Sequence, residues 1–126
     1  MLELPPSPLH CPTRADWREW LDAHHETSRE AWLAYYKKGV PKPSVAYADS
    51  VVEAICFGWI DGLTRRIDDE RYACRFTPRR LRSKWTGKNI GIAQQMIAEH
   101  RMSPFGLAVF EARETYNTPS GESDRG

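Results

Sequence analysis

Apolar side chains recur along this chain with two different periods, and the change between them marks out its elements. Trp17, Trp20, Leu21 and His24 stand at helical spacing, which predicts an amphipathic helix of about three turns. Thr13 stands where a capping hydroxyl belongs, and Asp16 suits the positive end of the helix dipole. Ala31 to Lys38, with Trp32, Tyr35 and Tyr36, is rich in strand-favouring aromatics. Its alternation is weak, so this strand is expected to be partly covered on both faces. Gly39-Val40-Pro41-Lys42-Pro43 breaks it, because proline removes a backbone donor. Ser44 to Phe57 reads as a second helix with Ser44 as its cap. Val51, Ile55 and Trp59 make one i, i+4 row and Val52 with Cys56 the adjacent one, and Gly58 is placed to stop the helix.

From Trp59 to Thr77 the period shortens to two, the mark of a β-hairpin. Trp59, Asp61, Leu63, Arg65 and Ile67 share a face in the first arm, and Tyr72, Cys74 and Phe76 share one in the second. Asp68-Asp69-Glu70-Arg71 supplies a polar turn. Gly62 predicts a bulge that reverses the facing beyond it. Thr77-Pro78-Arg79-Arg80 reads as a loop. Ser83 or Thr86 then caps a third helix running to about His100, with Ile90, Ala93, Ile97 and Met96 turned inward. Ser103-Pro104 is a helix start, and Leu107, Ala108 and Phe110 give that last helix an apolar face as far as Tyr116.

Leu4 to Pro12 holds four prolines and no periodicity, and the chain from Asn117 on is small and polar. Residues 1–12 and 117–126 are therefore expected to be flexible ends around a single domain, 13–116. The order helix, strand, helix, hairpin, helix, helix implies an α+β fold. We expect a small antiparallel sheet of about three strands, including the hairpin, packed against four helices.

The 126 residues suit one domain. No stretch approaches the roughly 20 apolar residues of a membrane helix, so no membrane insertion is expected. No basic start followed by an apolar run suggests a secretory signal. Three cysteines, an odd number without disulfide or zinc spacing, read as reduced thiols. A soluble, cytoplasmic protein is the expectation. Net charge is +1, yet Arg65 to Lys88 carries nine basic residues against three acidic ones, a local +6 that leaves −5 for the rest. Such segregation suits an anionic partner.

The segment Cys56-Phe57-Gly58-Trp59-Ile60-Asp61-Gly62 joins a helix to a strand and sets a thiol, an indole and a carboxylate close together. A carboxylate on an apolar face needs a partner or has a raised pKa. Arginines of the loop Phe76-Thr77-Pro78-Arg79-Arg80 are the expected partners of Asp61. Such a pair either ties the loop to the strand and nothing more, or belongs to a site. The candidate site comprises Asp61, Arg79, Arg80, Ser83 and Trp85, with Trp59 beside Asp61. The arginines would hold a phosphate or carboxylate, Trp85 would stack, and Asp61 would orient an arginine or accept a ligand donor.

Two alternatives stay open. Asp61 is a candidate catalytic acid or base, with an arginine stabilising developing negative charge. The basic run Arg75 to Lys88 is also a candidate nucleic-acid face, although no zinc-finger, RNP-type or KH signature accompanies it. Cys56 lies on an apolar helix row and reads as a core thiol. His24 and His25 are adjacent and point apart on a helix, so no metal site is expected. No motif asks for a cofactor.

The runs Ser44-Val45-Ala46-Tyr47-Ala48-Asp49, Glu53-Ala54-Ile55-Cys56-Phe57-Gly58-Trp59-Ile60-Asp61-Gly62 and Arg75-Phe76-Thr77-Pro78-Arg79-Arg80, with Ser83, Trp85 and Ala98 to Leu107, resemble the YdeI/OmpD-associated (bacteriocin-protection) family. The resemblance extends from about Trp17 to Ala112. It implies a bacterial protein with an accessory role in stress or antimicrobial tolerance; that it binds a small anionic ligand or a protein partner is the expectation from the candidate site residues. No catalytic residues come with it.

Overall fold

The Thr13 hydroxyl accepts from the Asp16 amide at 3.1 Å while the Asp16 carboxylate accepts from the Thr13 amide. This reciprocal capping box opens α1 (Arg14–His24). The computed structural model describes residues 4–80 and 82–117, with side chains through Arg113. Along them follow β1 (Leu9–His10), α1, β2 (Ala31–Tyr36), α2 (Tyr47–Cys56), β3 (Trp59–Arg66), β4 (Arg71–Pro78), α3 (Gly87–Ala98) and α4 (Pro104–Asn117). The fold is α+β, with four helices and four strands among the described residues. No described helix is long and apolar enough to cross a membrane.

The strands lie in the order β1-β2-β4-β3. β2 and β3 each pair antiparallel with β4, as the hairpin pattern requires, but β1 runs parallel to β2. The sheet is thus four-stranded and mixed, where about three antiparallel strands were expected. The extra strand comes from the stretch read as a flexible end. Leu9 pairs with Leu33 and His10 with Ala34. Cys11 is buried, and its carbonyl accepts from the Val45 amide at 3.0 Å. These contacts to distant residues hold a proline-rich stretch that has no periodicity of its own. The corresponding expectation for the C-terminal end falls, beyond Asn117, outside the described residues.

The pairing register passes from Asp61↔Phe76 to Thr64↔Cys74, three residues on β3 against two on β4. The extra residue is the bulge expected near Gly62. Thr64 and Arg66 take the face of Cys74 and Tyr72, while Leu63 turns out to solvent. β2 is buried on both faces, Leu33 and Tyr35 on one and Trp32 and Ala34 on the other.

The core gathers Trp17 and Leu21 of α1, Leu33 and Tyr35 of β2, Ala54 and Cys56 of α2, Trp59, and Cys74 with Phe76 of β4. Trp17 lies 5.0 Å from Phe76 between ring centroids, and its indole donates to the Ser50 carbonyl. Burial of a large ring therefore leaves no orphan donor. A second cluster joins Ile55, Ala93 and Phe110 and draws in Trp85 and Ile90 at its edge.

Several local expectations are corrected. Helix α2 starts at Tyr47, because the Ser44 hydroxyl accepts from the Tyr36 amide at the end of β2 and is not available as a cap. Of the two expected caps of α3, Thr86 takes the role. Met96 takes the buried place beside Ala93, and Ile97 is exposed. Strand β4 continues through Pro78, which was read as loop. Gly58, at φ 75°, stops α2 as expected. Both the Ser103 hydroxyl (2.7 Å) and the Ser103 amide (2.9 Å) donate to the Cys56 carbonyl, tying the end of α2 to the start of α4.

Candidate functional site

Arg79 follows directly on β4, and its amide donates to the Gly58 carbonyl at 2.9 Å. Its side chain is buried, only 8% exposed. The guanidinium stacks 3.7 Å from the centre of the Trp85 ring. Trp85 in turn packs edge-on against Phe110. Arg79 Nη1 donates to Ser83 Oγ at 3.0 Å and to the Lys84 carbonyl at 3.4 Å. Nε and Nη2 are shielded from solvent and have no hydrogen-bond partner. These two nitrogens form one edge of the planar fork, the edge that grips a carboxylate or phosphate through two parallel bonds. Burial pushes the Arg79 pKa down to about 10, with the charge of Asp61 opposing the shift. The group remains a cation at neutral pH.

The expected partnership of Asp61 with an arginine is not formed. Asp61 Oδ2 instead accepts from Tyr47 Oη at 2.5 Å, and no ion pair joins Asp61 to Arg79 or Arg80. The reason lies in the fold. Asp61 shares its face with Phe76, beneath the first turn of α2, where the Tyr47 hydroxyl is nearest. Burial and then this bond push the Tyr47 pKa upward. Arg80 is exposed, and Trp59 is fully buried, with its indole donating to the His25 carbonyl and its ring edge-on to Trp20. Of the six residues singled out in the sequence, the structure brings Arg79, Ser83 and Trp85 together. Asp61 stands near enough to act on Arg79 by charge alone. Arg80 touches the group only through its backbone, its carbonyl accepting from the Ser83 amide at 3.0 Å while its side chain is exposed, and the Trp59 side chain is buried toward His25 and Trp20.

A second cluster escaped the sequence reading. The Glu53 side chain is completely buried in α2, yet three arginines reach it. Arg14 Nε donates to Oε2 at 2.5 Å, Arg18 Nη1 to Oε1 at 2.7 Å, and Arg101 Nη2 to Oε2 at 3.1 Å. Arg18 Nη2 also donates to the Arg101 carbonyl, and Arg14 Nη1 to Asp49. Burial acts to raise the Glu53 pKa, but the bonds from Arg18, Arg14 and Arg101 outweigh it and hold the carboxyl below its ordinary value. Two signals pointed here. Arg14 and Arg18 stand at i, i+4 on one face of α1. The apolar rows of α2, with small Ser50 and Ala54, leave little of that helix for water, so a glutamate within it needs cationic partners. A cleft of about 830 Å³ opens over the arginines, lined by Arg14, Arg18, Glu19 and Asp22 of α1, by Phe57, and by residues 101–104.

The three thiols are free and buried, and burial pushes each pKa upward, that of Cys11 to about 11. A thiol in that condition is a weak nucleophile. His24 and His25 each bond through Nδ1 to the carbonyl four residues earlier. Among the described residues no group of three or more His, Cys, Asp or Glu is arranged to hold a metal ion.

No curated protein and no solved structure matches the chain. A family model described as a domain of unknown function, DUF8412, matches residues 9–109, from the first strand into the first turns of the last helix. The chain therefore belongs to the DUF8412 family, whose matched span includes both the Arg79 group and the Glu53 cluster.

Proposed function

We propose that this domain binds a small anion bearing a phosphate or carboxylate group, with the Nε–Nη2 edge of Arg79 as the anchor. One observation carries the reading: a buried guanidinium has one edge of its fork without a partner. Buried charges are ordinarily paired, and an orphaned one is costly unless something else completes it. Trp85 holds the guanidinium plane, and Ser83 with the Lys84 carbonyl fixes its rotation. That leaves the free edge oriented for two parallel bonds to one oxoanion. Both nitrogens are covered, so a ligand must displace what shields them. Asp61 disfavours a second negative charge nearby, which suits a small anion better than a polyanion.

A resemblance to the YdeI/OmpD-associated family, read from the sequence alone, would fit an accessory role. A part in stress or antimicrobial tolerance, in the cytoplasm, belongs to this same proposal. The test is thermal unfolding in inorganic phosphate, sulfate, acetate and citrate at constant ionic strength. Phosphate or a carboxylate should stabilise the fold in proportion to the logarithm of its concentration, by about 2.7 kcal/mol at a hundredfold excess over Kd, and raise the midpoint accordingly. Arg79→Met should abolish the response. A midpoint indifferent to all four anions, or a response retained in Arg79→Met, would rule the site out.

A further inference from the structure

We infer that the cleft over Glu53 binds a short peptide with free termini, its carboxylate toward Arg14, Arg18 and Arg101 and its ammonium toward Glu19 and Asp22. This site is separate from the Arg79 group and does not depend on it. Arg14, Arg18 and Asp22 fall at i, i+4 and i+8 along α1, and all three line the cleft with Glu19. Each such step advances about 6 Å along a helix. The wall is therefore basic at Arg14 and Arg18 and acidic at Asp22, about 6 to 12 Å further on, with Glu19 one residue past Arg18.

Neither end is neutralised within the protein. At the basic end three guanidinium groups meet two carboxylates, Glu53 and Asp49, which leaves one positive charge in excess. Only five of their N–H groups are used in the bonds to Glu53, Asp49 and the Arg101 carbonyl. Arg101 Nε is shielded and has no partner, while the Arg14 and Arg101 side chains are 38% and 40% exposed, so their remaining donors face the opening. At the acidic end Glu19 and Asp22 enter no ion pair among the described residues, although Asp22 stands one helical step from Arg18. Phe57, Met102 and Pro104 give the space between an apolar surface.

Opposite charges set apart across an apolar stretch define the ligand. A simple anion would satisfy the arginines and meet repulsion from Glu19 and Asp22. A single amino acid carries both charges on one carbon and cannot reach both ends. An extended chain advances about 3.3 to 3.6 Å per residue, so two to four residues span the wall. The cleft volume falls within the range of about 300 to 1,000 Å³ usual for small-ligand sites.

The experiment is a calorimetric titration of the full chain with alanyl-leucyl-alanine, its N-acetyl form and its C-terminal amide. The free peptide should bind, and either cap should weaken it about tenfold. The double variant Glu19→Gln with Asp22→Asn alters exposed, unpaired side chains, so its unfolding midpoint should match the wild type. It should bind the free peptide only as weakly as wild type binds the acetylated one, and should bind the acetylated peptide no worse than wild type does. Arg79→Met should leave all these affinities unchanged, which separates this site from the anion site. No heat of binding up to about 10 mM, equal affinity for free and capped peptides, or indifference to the double variant would each overturn the proposal.

Discussion

Gly106 approaches Cys56 so closely that a Cβ built on it would stand 2.0 Å from the Cys56 carbonyl oxygen. That carbonyl also accepts both donors of Ser103, and the Ser103 hydroxyl accepts from the Gly106 amide at 2.9 Å. The start of α4 thus lies directly on the end of α2, and neither backbone can yield without breaking the bonds that seat it. Gly106→Ala is expected to cost about 3 kcal/mol or more, at or above the upper end for overpacking. Gly91 in α3 has open space where a Cβ would go. There the same substitution should stabilise by about 0.5 to 1 kcal/mol. Chemical denaturation of the two variants makes the comparison, and equal effects would show that the close approach is not maintained in solution.

The pairing of Glu53 makes a statement about pH. Its carboxyl lies below the ordinary value of 4.5 in the folded chain. A depressed carboxyl contributes stability that is complete above its unfolded pKa and is lost as pH falls through the folded one. The wild type should therefore lose this contribution at pH below about 4.5. Glu53→Gln leaves three arginines facing an amide and should cost about 3 to 5 kcal/mol at pH 7. The gap between variant and wild type should close as the pH drops, because the wild-type carboxyl becomes protonated. A gap independent of pH would mean that Glu53 acts through packing and not through charge.

For Arg79 the sign is reversed. A basic group with a depressed pKa is disfavoured as a cation in the folded state. That cost is present in full below the folded value of about 10 and vanishes once the pH exceeds the ordinary arginine value of the unfolded chain. The displacement corresponds to roughly 3 kcal/mol. Loss of the Trp85 stacking and of the Ser83 and Lys84 bonds offsets on the order of 2 kcal/mol of it. Arg79→Met should thus raise stability at pH 7 by about 1 kcal/mol while removing the response to anions. Binding groups that reduce stability are a recurrent trade in functional sites. A variant less stable than wild type by 1 kcal/mol would identify Arg79 as a structural residue instead.

The elements that announce themselves locally were legible in the sequence. Thr13 with Asp16 specified the start of α1, Ser103-Pro104 that of α4, and Gly62 the bulge in β3. Each signal lies within a few residues of its effect. What could not be read depends on partners far along the chain. Leu9 and His10 become a strand only because β2 offers an edge more than twenty residues away. Ser44 looks like a cap, and only the path of β2 shows that Tyr36 takes it first. Arg79, Ser83 and Trp85 lie within seven residues and were found together. Asp61 was assigned to the wrong partner because its distance from Tyr47 depends on how α2 crosses the sheet. Glu53 needed α1, α2 and the segment before α4 to be assembled before its three arginines met.

The bond from Tyr47 to Asp61 sets a last test of how these groups share charge. A hydrogen bond to an ionised carboxylate is worth about 1.5 to 3 kcal/mol, so Tyr47→Phe should lower stability by that order. Asp61→Asn keeps an acceptor for the hydroxyl but loses the charge, and it also removes the attraction that Asp61 exerts on Arg79. We expect a loss of about 1 kcal/mol from Asp61→Asn alone. Combined with Tyr47→Phe the two losses should fall short of additivity, since one weakens and the other removes the same bond. In an Arg79→Met background the effect of Asp61→Asn should shrink, because the cation it partly offsets has gone. A double-mutant cycle measured by urea unfolding separates the two contributions. If the Asp61→Asn loss is the same with and without the Arg79 guanidinium, the two groups are electrostatically independent, and the repulsion argument favouring a small anion loses its basis.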